Sequence, residues 1–247
     1  MPRYKITLEY DGSGFVGWQR QDNGPSIQQC LEEAAEQLCQ QPVEVTGAGR
    51  TDSGVHALGQ VAHLDLPREL PPGKLRDALN ALVRPAPISV LSDERVGEDF
   101  HARFSATGRA YLYRILNRRP PPALESGRVW HHAAPLDAEV MHDAAQLLIG
   151  QHDFTSFRAK ECQAASPVKT LDRLEVRQAG EEIHIIAEAR SFLHHQVRNF
   201  VGSLAWVGVG RWTRAHLRDA LLAKDRAAGG PTAPPEGLYL TRVDYGG

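Results

Sequence analysis

Stretches in which apolar and polar residues alternate one for one constrain this chain more than any other feature. A period of two has one regular home, the half-buried β-strand. Tyr4-Lys5-Ile6-Thr7-Leu8-Glu9-Tyr10 is the first such stretch, and Asp11-Gly12-Ser13-Gly14 ends it. Ser26, with Gln29 three positions on, opens a helix in the manner of a capping box, and Ile27, Leu31, Ala34, Ala35 and Leu38 fall on one face of it. A short strand, Val43-Glu44-Val45-Thr46, leads into a glycine-rich turn. A strand over 61–66, a helix over 73–83 and a strand from Ile88 complete the order β-α-β-β-α-β.

The same order then recurs. Arg109 to Ile115 reads as a strand, followed by a loop that begins at Pro120-Pro121-Pro122 and a helix over 137–149. Strands over 171–177 and 183–189, helices over 194–209 and 213–223, and a closing strand over 237–243 follow. Two successive units of this kind predict an α+β chain of two ferredoxin-like (RRM-like) halves, 1–104 and 105–247. Each half presents an antiparallel sheet covered by helices on one face. Sheets joined side by side would leave a cleft on their open face, the kind of surface that RNA-recognition modules use to display aromatic and basic side chains.

With 247 residues, 42% of them hydrophobic, the chain has enough apolar mass for a substantial core. It has no run of ~18 apolar residues, so no membrane-spanning segment is expected. The N-terminus enters its first strand with no apolar h-region, so we expect no signal peptide and a cytoplasmic protein. The three cysteines form no CxxC pair, which argues against a disulfide framework or a cysteine zinc site. The net charge of −2 is unremarkable, but its distribution is uneven. Residues 1–104 hold 10 Lys+Arg against 15 Asp+Glu, whereas residues 105–247 hold 18 against 15. Of 28 basic residues 23 are Arg, whose planar fork suits phosphates and whose flat face suits bases, although genomic base composition also favours Arg codons.

The densest motif is Gly47-Ala48-Gly49-Arg50-Thr51-Asp52-Ser53-Gly54-Val55-His56-Ala57. It lacks the Gly-Lys-Ser/Thr of a phosphate loop and the spacing of a dinucleotide fingerprint. Glycine and aspartate also make ordinary turns. What distinguishes this one is Arg50, two residues before Asp52: in an extended segment the two share a face, and a cation there holds the carboxylate ionised and aimed. An ionised, oriented carboxylate is a usable nucleophile. The strand with Arg109, Tyr111 and Tyr113 places basic and aromatic side chains on one face, a platform for phosphates and bases unless the tyrosines are core. His194-His195 diverge by ~100° if helical and chelate poorly, so no metal is expected there; Arg198 beyond them is a candidate phosphate contact. His152 to Arg158 reads as a turn and then a short extended piece. No GxSxG supports a hydrolase.

At these residues the chain resembles the tRNA pseudouridine synthase A family. Gly47 to Ala57 is similar to that family's signature, with Ser53 where Ala is usual. Phe100 to Thr107, Arg109 to Tyr113, His152 to Arg158, His194 to Asn199 and Glu236 to Leu240 resemble its later blocks, in order. The resemblance implies two halves around a continuous, mainly antiparallel sheet with the active cleft between them. It also implies a homodimer without metal or cofactor, and pseudouridine formation at positions 38, 39 and 40 in the anticodon arm of tRNA. By that resemblance Asp52 is the nucleophile, Tyr111 stacks on the flipped uracil and serves proton transfer, Arg50 orients Asp52, and Leu238 packs by the base. Arg103, Arg109, Arg158 and Arg198 are candidate RNA-backbone contacts. The rival reading is a non-catalytic RNA-binding protein on tandem RRM-like folds, which leaves Arg50-Thr51-Asp52 without a role.

Overall fold

The computed structural model describes residues 1–246. In chain order the strands and helices are β1 (Arg3–Tyr10), α1 (Ile27–Cys39), β2 (Val45–Gly47), β3 (His56–Asp65), α2 (Lys74–Leu82) and β4 (Ile88–Val96). Then come β5 (Ala106–Leu116), β6 (Trp130–His131), α3 (Ala138–Ala145), β7 (Gly150–Asp153), β8 (Val168–Ala179), β9 (Glu182–Ala189), α4 (Gln196–Gly208), α5 (Arg214–Ala223) and β10 (Leu238–Tyr245). The chain divides into two compact units, Met1–Thr107 with the segment from Tyr239 onward, and Gly108–Leu238.

In the first unit β1 lies between β4 and β3, antiparallel to both, and β2 is antiparallel to β3. β1 and β2 therefore run parallel with β3 between them, the split β-α-β arrangement of a ferredoxin-like half. The alternation that identifies β1 is its burial pattern: Tyr4, Ile6, Leu8 and Tyr10 are all buried. In α1, Ile27, Leu31, Ala34 and Ala35 are buried, and the Ser26 hydroxyl accepts from the Gln29 backbone N–H at 3.2 Å to start the helix. The helix stops at Gln40, which adopts a left-handed conformation.

The second unit is built on the same plan. β9 lies between β5 and β8, antiparallel to both, and β7 extends the sheet beyond β8. Ile183, Ile185, Ala187 and Ala189 alternate into the core, and Gly180, at φ 63°, turns the β8–β9 hairpin. α4 is buried nearly all round, so its polar residues need internal partners. Asn199 Nδ2 donates to Phe157 O, and the Ser203 hydroxyl donates to Asn199 O while accepting from Gly230 N.

Several boundaries differ from the sequence expectation for identifiable reasons. β3 begins at His56 rather than Val61, because Gly59 breaks the apolar signal without breaking the strand. A Cβ at Gly59 would collide with the Thr241 carbonyl, so the glycine lets β10 lie close. β10 pairs with β3 in parallel, Tyr239 opposite His56 and Leu240 opposite Ala57. The chain from Tyr239 thus packs in the first unit, whereas the sequence division assigned it to the second half. Around His152–Arg158 the order is inverted: strand β7 comes first, and Thr155–Phe157 then form a 3-10 turn. α4 starts at Gln196, because His195 takes a left-handed φ of 62°.

His63 of β3 is 7% exposed, and its Nδ1 accepts from Ala102 N at 3.2 Å. Burial, then the charges of Arg3 and His101, lowers its pKa from 6.5 to about 4, with Asp65 opposing. A histidine held neutral by the fold contributes stability above its unfolded pKa and loses it as pH falls. The stability of the chain is therefore expected to drop between pH 6.5 and about 4. Chemical denaturation of His63→Gln across that window should show a shallower decline than the wild type; equal slopes would remove His63 as the cause.

Candidate active site

In the first unit, the glycine-rich motif hangs between β2 and β3 and is fixed by its backbone. Asp52 forms an antiparallel bridge with Gly17. Trp18 N donates to Thr51 O at 3.0 Å, Val55 N to Asp52 O at 3.1 Å, and the Ser53 hydroxyl to Phe15 O at 3.1 Å. Upstream, Ala48 N donates to Val61 O at 2.7 Å and Gln60 Nε2 to Gly49 O at 2.9 Å. The Thr51 side chain is buried and lies 2.8 Å from the Tyr10 hydroxyl. Arg50, exposed, and Asp52, half-buried, stand on either side of it.

Glycines matter here at two places. Gly17 has φ 118°, and a Cβ on it would come 2.7 Å from Thr51 O. A Cβ on Gly47 would run into the Trp18 indole. Close backbone approach is what glycine permits and other residues do not. Behind the loop, His56 is buried, accepts at Nδ1 from Gly12 N at 3.0 Å, and stacks on Tyr239 at 4.7 Å between ring centroids. Sequence reasoning missed Tyr10, Gly17 and Trp18 as supports of this loop. Gly17-Trp18 carries no local periodicity, and Thr51 and Asp52, which it holds, lie more than thirty residues away in the sequence.

In the second unit, the tyrosine pair of β5 separates. Tyr113 is fully buried, its hydroxyl donates to Pro234 O at 2.7 Å, and burial pushes its pKa well above the ordinary phenol value. It is a core residue. Tyr111 is half-buried, with its ring edge-on to Phe192 at 5.2 Å. Phe192 was missed: the sequence grouped it with the histidine pair, and nothing in the spacing joins it to β5. Arg109 of the same strand donates to Arg190 O at 2.6 Å. Arg198 sits half-buried in the first turn of α4, with Nε donating to Ala233 O at 2.8 Å. Arg158 is half-buried after the 3-10 turn. Leu238 is 6% exposed at the start of β10. Arg103, in the first unit, is exposed in the turn that precedes β5.

The matches with known proteins cover these elements. The family model described as tRNA pseudouridine synthase matches residues 6–105 and 144–246, so the chain belongs to that family: it is an isomerase that acts on uridine in tRNA. The proteins named tRNA pseudouridine synthase A from Rhodospirillum rubrum and Rhodospirillum centenum are 64% and 63% identical to it. The first alignment spans 100% of this chain and 89% of that relative, the second 99% and 100%. The protein of the same name from Rhodopseudomonas palustris strain BisA53 is 60% identical over 99% of this chain and 100% of its own.

Gly17→Ala forces a side chain onto the Thr51 carbonyl in a backbone conformation that alanine resists. It is expected to displace the Asp52 backbone and slow pseudouridine formation by roughly 100-fold, the scale of an ångström-sized misplacement. Far-UV circular dichroism should stay unchanged. A wild-type rate in that variant would show that the Gly17 bridge does not position Asp52.

Proposed function

We propose that the chain converts uridine to pseudouridine at positions 38, 39 and 40 of the tRNA anticodon arm, with Asp52 as nucleophile. The observation that carries this reading is a half-buried carboxylate on a backbone clamped from both sides, inside the motif that resembles the family signature. The reaction breaks the bond between ribose C1′ and N1 of uracil, turns the base, and joins C1′ to C5. N1 gains a proton and C5 gives one up. Atoms and electrons balance within the nucleotide, so the chemistry needs no redox partner or energy source.

A uracil in a stack is out of reach, so the target nucleotide must swing out before Asp52 can attack. Tyr111 is assigned to stack on that uracil and to serve proton transfer at C5. Its partial exposure suits a ligand contact in a way that the buried Tyr113 does not. Leu238 is assigned to pack against the base and exclude water, which would otherwise hydrolyse a covalent intermediate. Arg50, exposed beside Asp52, is assigned to orient the carboxylate. Arg103, Arg109, Arg158 and Arg198 are assigned to the RNA backbone. The active form is assigned as a homodimer, on the family resemblance.

Asp52→Asn keeps the shape of the side chain and removes the nucleophile. It should abolish tritium release from tRNA labelled at uridine C5 while tRNA affinity stays within about twofold of wild type; full turnover would overturn the assignment. Tyr111→Phe should lower kcat with little change in affinity, whereas parallel losses in both would mark a structural tyrosine. The affinity of wild type for tRNA should fall steeply with salt, and a flat response would contradict the arginine–phosphate contacts.

A further inference from the structure

Phe104 is 74% exposed, and among the described residues no other Phe, Tyr or Trp is as open to solvent. A solvent-facing phenylalanine on a flexible tip would fold onto the nearest apolar surface. This one is held out by a tight turn. Ser105 N donates to His101 O at 2.9 Å, and His101 N donates to the Ser105 hydroxyl at 3.0 Å. The His101 imidazole accepts at Nδ1 from both Arg103 N and Phe104 N, at 3.2 and 3.3 Å. The same ring lies 4.4 Å from the Phe104 ring and backs it. The Arg103 guanidinium lies 5.7 Å from the Phe104 ring centroid. The base of the turn is tied down as well, since the Tyr245 hydroxyl donates to Ala102 O at 2.7 Å.

We propose that Phe104 is a stacking platform for an unpaired nucleobase of the tRNA, with Arg103 beside it engaging an adjoining phosphate. The inference rests on the reading that this chain binds tRNA. An exposed aromatic ring, backed by an imidazole and paired with a cation, matches a base and its phosphate better than an apolar protein surface. The arrangement is already formed in the free protein, so little ordering opposes binding at this point. Its role is binding, separate from the chemistry assigned to Asp52.

The test uses the full chain and a tRNA transcript with Phe104→Ala, Phe104→Leu, Phe104→Trp and Arg103→Ala. Filter binding should place the Ala and Leu variants about tenfold weaker than wild type, the scale of one lost base–aromatic stack. The Trp variant should return to within about twofold. The Phe104 variants should keep the wild-type salt slope, whereas Arg103→Ala should lower it by about one, as expected for one phosphate contact. Wild-type affinity in Phe104→Ala overturns the proposal. Wild-type affinity in Phe104→Leu also overturns it, because apolar bulk alone would then suffice. A changed sedimentation coefficient of RNA-free Phe104→Ala would assign the residue to contact with a second copy of the chain and likewise overturn it. A wild-type chain that binds no tRNA overturns this inference and the proposed function together. A wild-type chain that binds tRNA and releases tritium, with Phe104→Ala unaffected, overturns the stacking alone.

Discussion

The antiparallel bridge between Gly17 and Asp52 is the contact on which the rest of the candidate site depends. Asp52 lies on a loop, where entropy favours many positions for its carboxylate over one. The bridge, with the Trp18–Thr51 and Ser53–Phe15 hydrogen bonds, reduces those positions by using backbone groups that must find partners in any case. Only glycine permits that approach at residue 17, at its φ of 118°. The sheet beneath supplies the rigidity: Tyr10, the last residue of β1, reaches Thr51, and Gln60 of β3 reaches Gly49. The loop is thus held from β1 and from β3. A backbone supported in this way has few alternative positions.

The second unit uses burial to separate two chemically identical side chains. Tyr111 and Tyr113 belong to one strand and one face by periodicity. Tyr113 is covered by the Pro234–Gly237 segment: its hydroxyl is bonded to Pro234 O, and its ring packs where a Cβ on Gly237 would stand. Tyr111 is only half-buried, with the Phe192 ring perpendicular to its own at 5.2 Å. Phe192 and the Pro234–Gly237 segment lie more than 75 residues away in the chain, and Trp130, perpendicular to Tyr113 at 6.1 Å, comes from β6. No property of β5 itself distinguishes the two rings.

The first and second units repeat a plan, a central strand with antiparallel neighbours and helices packed on the sheet, yet they share no visible sequence pattern. The repeat lies in the order of periods, two then 3.6, and in the right places for turns. That is why it was readable. α1 announced itself through Ser26 and an apolar face, and the β8–β9 hairpin through Ala179-Gly180-Glu181. The inverted order at His152–Arg158, the left-handed His195 and the early start of β3 were not readable. For β3 the deciding neighbour is β10, whose approach requires the glycine at position 59 and which local propensity does not contain.

By itself, then, the sequence determined most of the elements and their order, and through a short, specific motif it pointed to the family and offered Asp52 as a candidate. Those properties depend on interactions within a turn or two, or on residues adjacent in the chain. The tertiary structure alone decided that Gly17 and Trp18 clamp the Asp52 loop, that Tyr113 is core while Tyr111 is not, and that Phe104 stands exposed on a stiff turn. The reason is physical: burial and long-range backbone pairing follow from sheet register and from which segments cover which faces, and local periodicity encodes neither.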